Sequence, residues 1–275
     1  MLTDSMRQIV GSKNNCMKNF VFLPLVGAIT LAAAGSASAA LLAYEPFNYG
    51  AGSVVGGSGG FGFTGSWAYN PIFEPAGTTG ANVIASGLSY AGLTTSGGAL
   101  TSVPNYEVAD RTLFATAPTS GTFYLSFLIS RVTGESPSYG GLSVFDASGT
   151  SEEMFLGFTG GGLGTDNPPA TSRVLLPDQP GAAMMVFKFD FTLSTVTGFV
   201  NPVLGAPEPL VPAFTFNKTF QFARLGINAD PGIIVDEIRL GNFYTDVVPV
   251  PEPGSVMLMI CGLGTMVMWR RRAAN

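Results

Sequence analysis

Apolar and polar residues alternate with a period of two in several short segments of the chain. In residues 187–191 three phenylalanines alternate with two charged residues, which gives a strand with one apolar and one polar face. Residues 197–202 follow a short polar stretch and are predicted to pair back on that strand as a hairpin. Three further apolar segments bounded by turn residues are 121–131, 220–227 and 233–240. This pattern predicts an antiparallel β-sandwich.

The composition supports an all-β domain. Only 11% of the 275 residues are charged, against about a quarter in an ordinary soluble domain, and 36 glycines and 19 prolines interrupt the chain. These values disfavour helical bundles, and the 46% of hydrophobic residues disfavour disorder. The absence of histidine excludes His-based triads and His-ligated metals. We expect a single domain in which the Pro/Gly-rich segments 70–80, 160–170 and 201–213 are loops.

The N-terminal end has the three parts of a secretory signal peptide. Lys18 precedes an apolar run over 20–34, and small residues at Ala37 and Ala39 suit signal peptidase. We therefore predict a signal peptide over 1–39, with Met17 as a second candidate start of translation. A retained membrane anchor is the alternative, disfavoured because the apolar run is short of the roughly 20 residues that span a bilayer.

The C-terminal end carries a second apolar segment. Pro251, Glu252 and Pro253 are followed by fifteen apolar residues over 255–269 and then by the arginines 270–272. As a helix this segment is about 22 Å long, against a hydrocarbon core of about 30 Å, so it predicts a short transmembrane helix. Arg270, Arg271 and Arg272 are predicted to stop transfer and to stay in the cytoplasm.

This order of triplet, apolar helix and arginine cluster closely resembles the PEP-CTERM sorting signal of Gram-negative bacteria. The resemblance implies that an exosortase recognises Pro251, Glu252 and Pro253 and cleaves nearby. It also implies an exported protein that is held in the inner membrane as a precursor and then lies at the cell surface or outside the cell. The alternative is a plain C-terminal anchor preceded by a chance triplet.

The middle of the chain, 40–248, resembles bacterial surface proteins with a concanavalin A/laminin G-like jelly roll. The segments that carry the resemblance are 41–49, 59–67, 187–191, 198–202 and 235–241. It implies a β-sandwich ectodomain between the signal peptide and a sorting tail over 249–275, with a structural or adhesive role. A lectin-like glycan-binding module and, less favoured, a polysaccharide-active hydrolase or lyase remain as alternatives.

The placement of charged residues and cysteines limits the classes of partner that the chain can bind and the disulfides that it can form. Residues 40–250 hold 7 basic and 16 acidic side chains, a net charge of −9, which disfavours nucleic-acid binding. Both cysteines, Cys16 and Cys261, lie in the terminal segments, so the middle can form no internal disulfide. Besides the two processing enzymes and the inner membrane, an exopolysaccharide is a candidate partner.

Catalytic patterns are weak in this sequence. Residues 57–62 satisfy GxGxxG but precede no helical pattern, so they are predicted to be a loop. Asp236 and Glu237 are adjacent on a predicted strand, which would send them to opposite faces and prevent them from flanking one bond. Glu152 and Glu153 follow a predicted turn. We expect no enzyme activity.

Metal and sugar sites are the remaining candidates. The loop aspartates Asp146, Asp166, Asp178 and Asp230 could supply oxygens to a Ca²⁺ ion, although no calcium-loop spacing is present and no cofactor is expected. Aromatic residues could form a sugar-stacking platform. They are Trp67, Tyr69, Tyr90, Tyr106 and Tyr139.

Overall fold

The structure is a computed structural model that describes residues 41–70, 81–102, 107–113, 118–132, 139–159, 162–166, 173–177, 181–229 and 232–249. The strands among them are β1 (Leu41–Glu45), β2 (Gly52–Ser53), β3 (Phe63–Tyr69), β4 (Asn82–Ile84), β5 (Ala99–Thr101), β6 (Glu107–Leu113), β7 (Thr122–Arg131), β8 (Tyr139–Phe145), β9 (Glu152–Thr159), β10 (Leu163–Asp166), β11 (Arg173–Leu176), β12 (Ala183–Asp190), β13 (Thr195–Val200), β14 (Phe214–Asn217), β15 (Arg224–Ala229) and β16 (Ile233–Gly241). One helical turn, α1 (Tyr244–Val247), follows the last strand.

The described strands form two antiparallel sheets. The larger sheet has the order β14-β13-β12-β7-β16-β5-β4-β2, and β1 also pairs with β16. The smaller sheet has the order β11-β10-β9-β8-β15-β6-β3. The chain crosses repeatedly between the sheets, as from β6 to β7 and from β14 to β15 to β16. This topology confirms the predicted β-sandwich of the jelly-roll type.

The core between the sheets is built from the apolar face of each alternating strand. Phe187 and Phe189 point inward from β12, and both are fully buried. Phe187 stacks on Phe127 of β7 with ring centroids 6.1 Å apart, and Phe189 meets Phe222 edge-on at 5.0 Å. Side chains of the smaller sheet, such as Leu142, complete the same cluster. Burial of these large side chains is the main source of stability.

The hairpin predicted from residues 197–202 is present as β12–β13, with Phe187 opposite Gly198. Two predictions need correction. The segment 220–227 becomes a strand only from Arg224, and the predicted loop at 160–170 contains β10. β10 was missed because its sequence, Leu-Gly-Thr-Asp, is short and lacks an alternating pattern; pairing with β9 and β11 makes it a strand.

The glycine-rich segment 57–62 is a loop followed by strand β3, as predicted. Gly60 and Gly62 have φ of +66° and +81°, and a Cβ on either would collide with the backbone of β1. These glycines therefore let the loop lie against β1, where Tyr44 and Phe61 exchange backbone hydrogen bonds of 3.0 Å. They serve packing, because the helix that a dinucleotide fingerprint requires is replaced by a strand.

Candidate functional site

The outer face of the larger sheet, which is turned away from the smaller sheet, carries a second apolar layer. We call this layer the outer cluster; its buried members are Tyr124, Leu128, Met184, Val186, Phe199, Tyr244, Val247 and Val248. The first five are side chains of β7, β12 and β13 that alternate with core residues. Leu88, Tyr90 and Leu93 from one connection and Leu204 from another pack against them. The outer face of the larger sheet is therefore covered by connecting segments of the chain. Where these segments meet, they can leave a pocket.

The segment after β16 is held firmly on this face. Val247 and Val248 are fully buried, and the Ser126 hydroxyl donates a 2.9 Å hydrogen bond to the Val247 carbonyl oxygen. Asp246 begins the helical turn by accepting a 2.9 Å hydrogen bond from the backbone N–H of Phe243. The chain is thus part of the fold up to residue 248.

A pocket of about 500 Å³ opens at one end of the outer cluster. It lies where the start of β7, the connection after β13 and the segment after β16 meet. Its described lining residues are Thr122, Tyr124, Pro207, Glu208, Asn242, Phe243, Tyr244 and Thr245. Phe243 is 68% exposed, so one wall presents an aromatic ring to solvent. This volume is within the range of small-molecule sites, about 300–1,000 Å³.

The polar groups of the pocket form a fixed network around Glu208. The Tyr124 hydroxyl donates to one carboxylate oxygen at 2.6 Å, and the Lys188 ammonium donates to the other at 2.9 Å. Burial, followed by the Glu208 carboxylate, raises the pKa of Tyr124 well above its ordinary value. Tyr124 therefore stays a donor at neutral pH, and it orients the carboxylate.

Tyr244 presents a different kind of polar group. Its side chain is 5% exposed, and its hydroxyl is buried without a hydrogen-bond partner among the described residues. Burial raises its pKa to about 12, so the group remains protonated. A buried hydroxyl without a partner costs about 1–3 kcal/mol of folding free energy.

An acidic cluster lies elsewhere on the same outer face, at a β-bulge of β16. The pairing of β16 with β7 shifts register between Asp236 and Arg239, and Glu237 has a φ of +54°. The prediction that Asp236 and Glu237 face opposite sides is therefore wrong, because the bulge breaks the alternation. Both carboxylates contact the segment 87–96, through the backbone N–H groups of Leu88 and Ser96 at 2.7 Å.

Each acid of this cluster has a different set of partners. Glu237 accepts hydrogen bonds from the Tyr44 hydroxyl and, at 2.7 Å, from Arg239, which also donates to the Thr94 carbonyl oxygen. Burial raises the pKa of Asp236 to about 7. Asp236 and Glu237 are 0% and 1% exposed, so in this conformation they hold the 87–96 segment and offer no surface to a substrate.

The four described members of the predicted aromatic platform are dispersed by the fold. Trp67 is buried, and its indole N–H donates to the buried Glu45 carboxylate at 3.0 Å, so it belongs to the core. Tyr139 stacks on Phe155 of the smaller sheet, with ring centroids 4.0 Å apart. Tyr69 is 40% exposed on the edge strand β3, and Tyr90 packs against the outer cluster. Tyr106 lies outside the described residues.

The structure describes two of the four predicted calcium ligands, Asp146 and Asp166. Asp146 closes a turn by accepting hydrogen bonds from the Ser148 hydroxyl and from the backbone N–H groups of Thr150 and Ser151. Asp166 is buried in β10. Asp178 and Asp230 lie outside the described residues. Across the part of the chain that the structure describes, no group of three or more acidic or cysteine side chains could hold a metal ion.

The predicted processing sites also lie outside the described residues. They are Ala37 and Ala39, Pro251, Glu252 and Pro253, and Arg270, Arg271 and Arg272. The signal peptide over 1–39 and the domain boundaries at 39 and 248 stay predictions. Among the described residues no helix has the length and hydropathy needed to cross a membrane.

The pocket was missed by sequence reasoning because its residues come from three distant segments. Glu208 stands in a second Pro-Glu-Pro triplet, 207–209, which no apolar helix or arginine cluster follows. Phe243 and Tyr244 come directly after a strand that looked complete at residue 241. A pair of aromatic residues at the end of the last strand was the signal available, and it has no specific meaning without the fold.

The comparisons with known proteins add the sorting signal. The fold defines an antiparallel β-sandwich protein. Residues 249–272 match the family model of the PEP-CTERM protein-sorting motif. The chain is therefore a β-sandwich protein with a PEP-CTERM sorting motif, and the motif indicates export and sorting by an exosortase to the cell surface or beyond.

Solved structures with a similar fold are distant in sequence. The metal-free Emp46p carbohydrate recognition domain is 9% identical, over 60% of this chain and 87% of that chain, with a TM-score of 0.37. Lectin II from Ulex europaeus is 12% identical, over 58% and 89% of the two chains, with a TM-score of 0.37. A sialidase is 10% identical, over 66% of this chain and 17% of its own, with a TM-score of 0.41. A search of curated proteins found no match.

Proposed function

We propose that this chain is a structural or adhesive component of the bacterial envelope or extracellular matrix, and that it acts by placement and binding without catalytic turnover. The observation that carries the proposal is the position of the sorting motif. The match begins at residue 249, directly after Val247 and Val248, which are packed on the outer face of the sandwich. The β-sandwich is therefore the cargo of the signal.

The proposed route has three steps. The signal peptide over 1–39 exports the chain and is removed after Ala39. The apolar segment 255–269 then holds the precursor in the inner membrane, with Arg270–Arg272 in the cytoplasm. Cleavage near Pro251–Pro253 finally transfers the sandwich to the exterior.

A triple substitution of Pro251, Glu252 and Pro253 by alanine tests this route. We expect the variant to accumulate in the membrane fraction, as the unmodified chain should in cells without exosortase. The chain supplies a matched control, because alanines at the internal triplet 207–209 change the same three residue types within the folded domain. Normal release of the 251–253 variant, or equal retention of both variants, would contradict the proposal.

A lectin-like glycan-binding module is the second candidate function. The pocket that contains Glu208, Phe243 and Tyr244 favours it, because the pocket combines an exposed aromatic ring with fixed polar groups. In this case adhesion would be a consequence of sugar binding.

A further inference from the structure

Two segments that meet at the pocket, the connection after β13 and the segment after β16, expose large apolar side chains. Leu210 is 99% exposed, Val211 is 83% exposed, and Phe243 is 68% exposed. Leu210 and Val211 closely follow Glu208 in the chain, and Glu208 lines the same pocket as Phe243. We call Leu210, Val211 and Phe243 the apolar rim. Single exposed apolar residues are ordinary, whereas a group of them around one feature marks a contact surface.

The loop that carries Leu210 and Val211 is fixed on both sides of these residues. Before them, the Glu208 carboxylate is bound by two side chains of the larger sheet. After them, the backbone N–H of Ala213 donates a 2.8 Å hydrogen bond to the Gly198 carbonyl oxygen of β13. Because both ends are held, the apolar side chains between them stay in water unless a partner covers them.

The surroundings of the apolar rim carry no unbalanced charge. Within residues 201–213 Glu208 is the one charged residue, and the Lys188 ammonium pairs with it at 2.9 Å. Within residues 242–248 the one charged residue is Asp246, which is buried and accepts a hydrogen bond from the backbone N–H of Phe243. Residues 40–250 as a whole have a net charge of −9. The rim is therefore a part of an acidic domain that can approach a lipid surface without bringing an unpaired charge into it.

The length of chain after the fold decides which surface a membrane anchor would turn towards the bilayer. The backbone N–H of Val248 donates a 2.9 Å hydrogen bond to the Tyr244 carbonyl oxygen, which keeps Phe243 about one helical turn from the end of the packed segment. Residues 250–254 then separate the last described residue from the apolar segment 255–269. Fully extended, the path from 249 to 255 spans about 20 Å, whereas a sandwich of roughly 210 residues is about 40 Å across. An anchored precursor therefore holds the side of the sandwich that carries Phe243 next to the bilayer.

We propose that the apolar rim contacts the lipid bilayer while the precursor is held in the inner membrane. The inference rests on the proposed function, because the rim reaches lipid only if the segment 255–269 is anchored there. The three side chains of the rim enter the headgroup region, where their apolar surface leaves water. The contact orients the sandwich and holds the triplet 251–253 close to the bilayer surface. It ends when cleavage near the triplet removes the tail.

Quenching of tryptophan fluorescence by brominated phosphatidylcholine tests this contact. Precursor purified from cells without exosortase is reconstituted into phosphatidylcholine vesicles with or without bromine on the acyl chains. Every variant also carries Trp269→Phe, because Trp269 belongs to the apolar segment, and the remaining Trp67 is buried in the core. We expect brominated lipid to quench at least half of the emission that Leu210→Trp adds. Tyr69→Trp is the matched control, since Tyr69 is an exposed aromatic residue on the smaller sheet, and its emission should not change.

A charge placed in the apolar rim tests the same contact from the opposite direction. Val211→Asp should reduce the quenching of the Leu210→Trp reporter at least twofold, because a carboxylate is costly to bring into a bilayer. Tyr69→Asp makes the same change of charge outside the rim and should leave the quenching unchanged. Equal quenching of the two reporters, or quenching that Val211→Asp does not reduce, would overturn the proposal. A precursor that forms a dimer through the rim and shows no quenching would also overturn it, because a second copy would then cover these residues.

Flotation of the vesicles separates a failure of this inference from a failure of the proposed function. Precursor that floats with the vesicles but shows no quenching of the Leu210→Trp reporter would overturn the lipid contact alone. Precursor that does not float would overturn both proposals, because the segment 255–269 would then not be a membrane anchor.

Discussion

Replacement of Asp236 by asparagine should remove a pH-dependent loss of stability. Burial raises the pKa of this carboxyl group from 3.8 to about 7 in the folded protein. Well below pH 4 the group is protonated in both the folded and unfolded states, so its burial does not lower the free energy of unfolding. As the pH rises towards 7 the unfolded chain releases its proton first, and the free energy of unfolding falls.

The size of this effect follows from the difference of about three pKa units. At about 1.4 kcal/mol per unit, Asp236 lowers the free energy of unfolding by up to about 4 kcal/mol between pH 4 and pH 8. An asparagine side chain at this position would be neutral throughout this range. The Asp236→Asn variant should therefore lose less stability than the unmodified protein as the pH rises. From pH 4 to pH 8, the loss in the free energy of unfolding should be about 2–4 kcal/mol smaller for the variant.

Urea unfolding at four pH values between 4 and 8, followed by tryptophan fluorescence, measures both slopes. Asp146→Asn is a control with the opposite sign. Burial of Asp146 opposes its ionisation, but the Ser148 hydroxyl and several backbone N–H groups outweigh this and lower its pKa. The stabilisation that the ionised Asp146 carboxylate gives to the folded state is therefore lost as the pH falls. Parallel pH profiles for Asp236→Asn and the unmodified protein would refute the reasoning.

Three further substitutions test the packing of the fold, each by its urea midpoint. Glu45→Leu should lower stability by about 2–5 kcal/mol, because it leaves two buried donors without an acceptor, one of them the Trp67 indole; an unchanged midpoint would show that the carboxylate is dispensable. Gly198→Ala should cost about 1–3 kcal/mol, because its Cβ would overlap the buried Phe214 ring, and a midpoint at or above that of the unmodified protein would contradict this contact. Val247→Asp should cost about 3 kcal/mol or more and loosen the segment before the sorting motif; full stability would mean that this segment is not packed as described.

Sequence patterns predicted the strands whose two faces meet different environments. β12 is one example, because its phenylalanines enter the core while Lys188 stays on the outer side. β7 and β16 were recognised by their length and apolar content. β10 was not, because its four residues are too few to show an alternating pattern, and its strand conformation depends on pairing with β9 and β11.

Two features of the outer face could not be predicted, because sequence spacing does not encode them. A β-bulge places Asp236 and Glu237 on one face of β16, where strict alternation would separate them. The pocket joins Tyr124, Glu208 and Phe243, which lie more than thirty residues apart from one another in the chain. The sorting motif, in contrast, is a local signal, and it was recognised from a single continuous segment.

The intact mass of the protein recovered from the cell surface or the culture fluid tests the central claim most directly. The account predicts a mature chain that has lost residues 1–39 at one end and the Arg270–Arg272 cluster at the other, and that retains the sandwich through Val248. A mature external form that still carries the arginine cluster, or a full-length chain found in the cytosol, would contradict it.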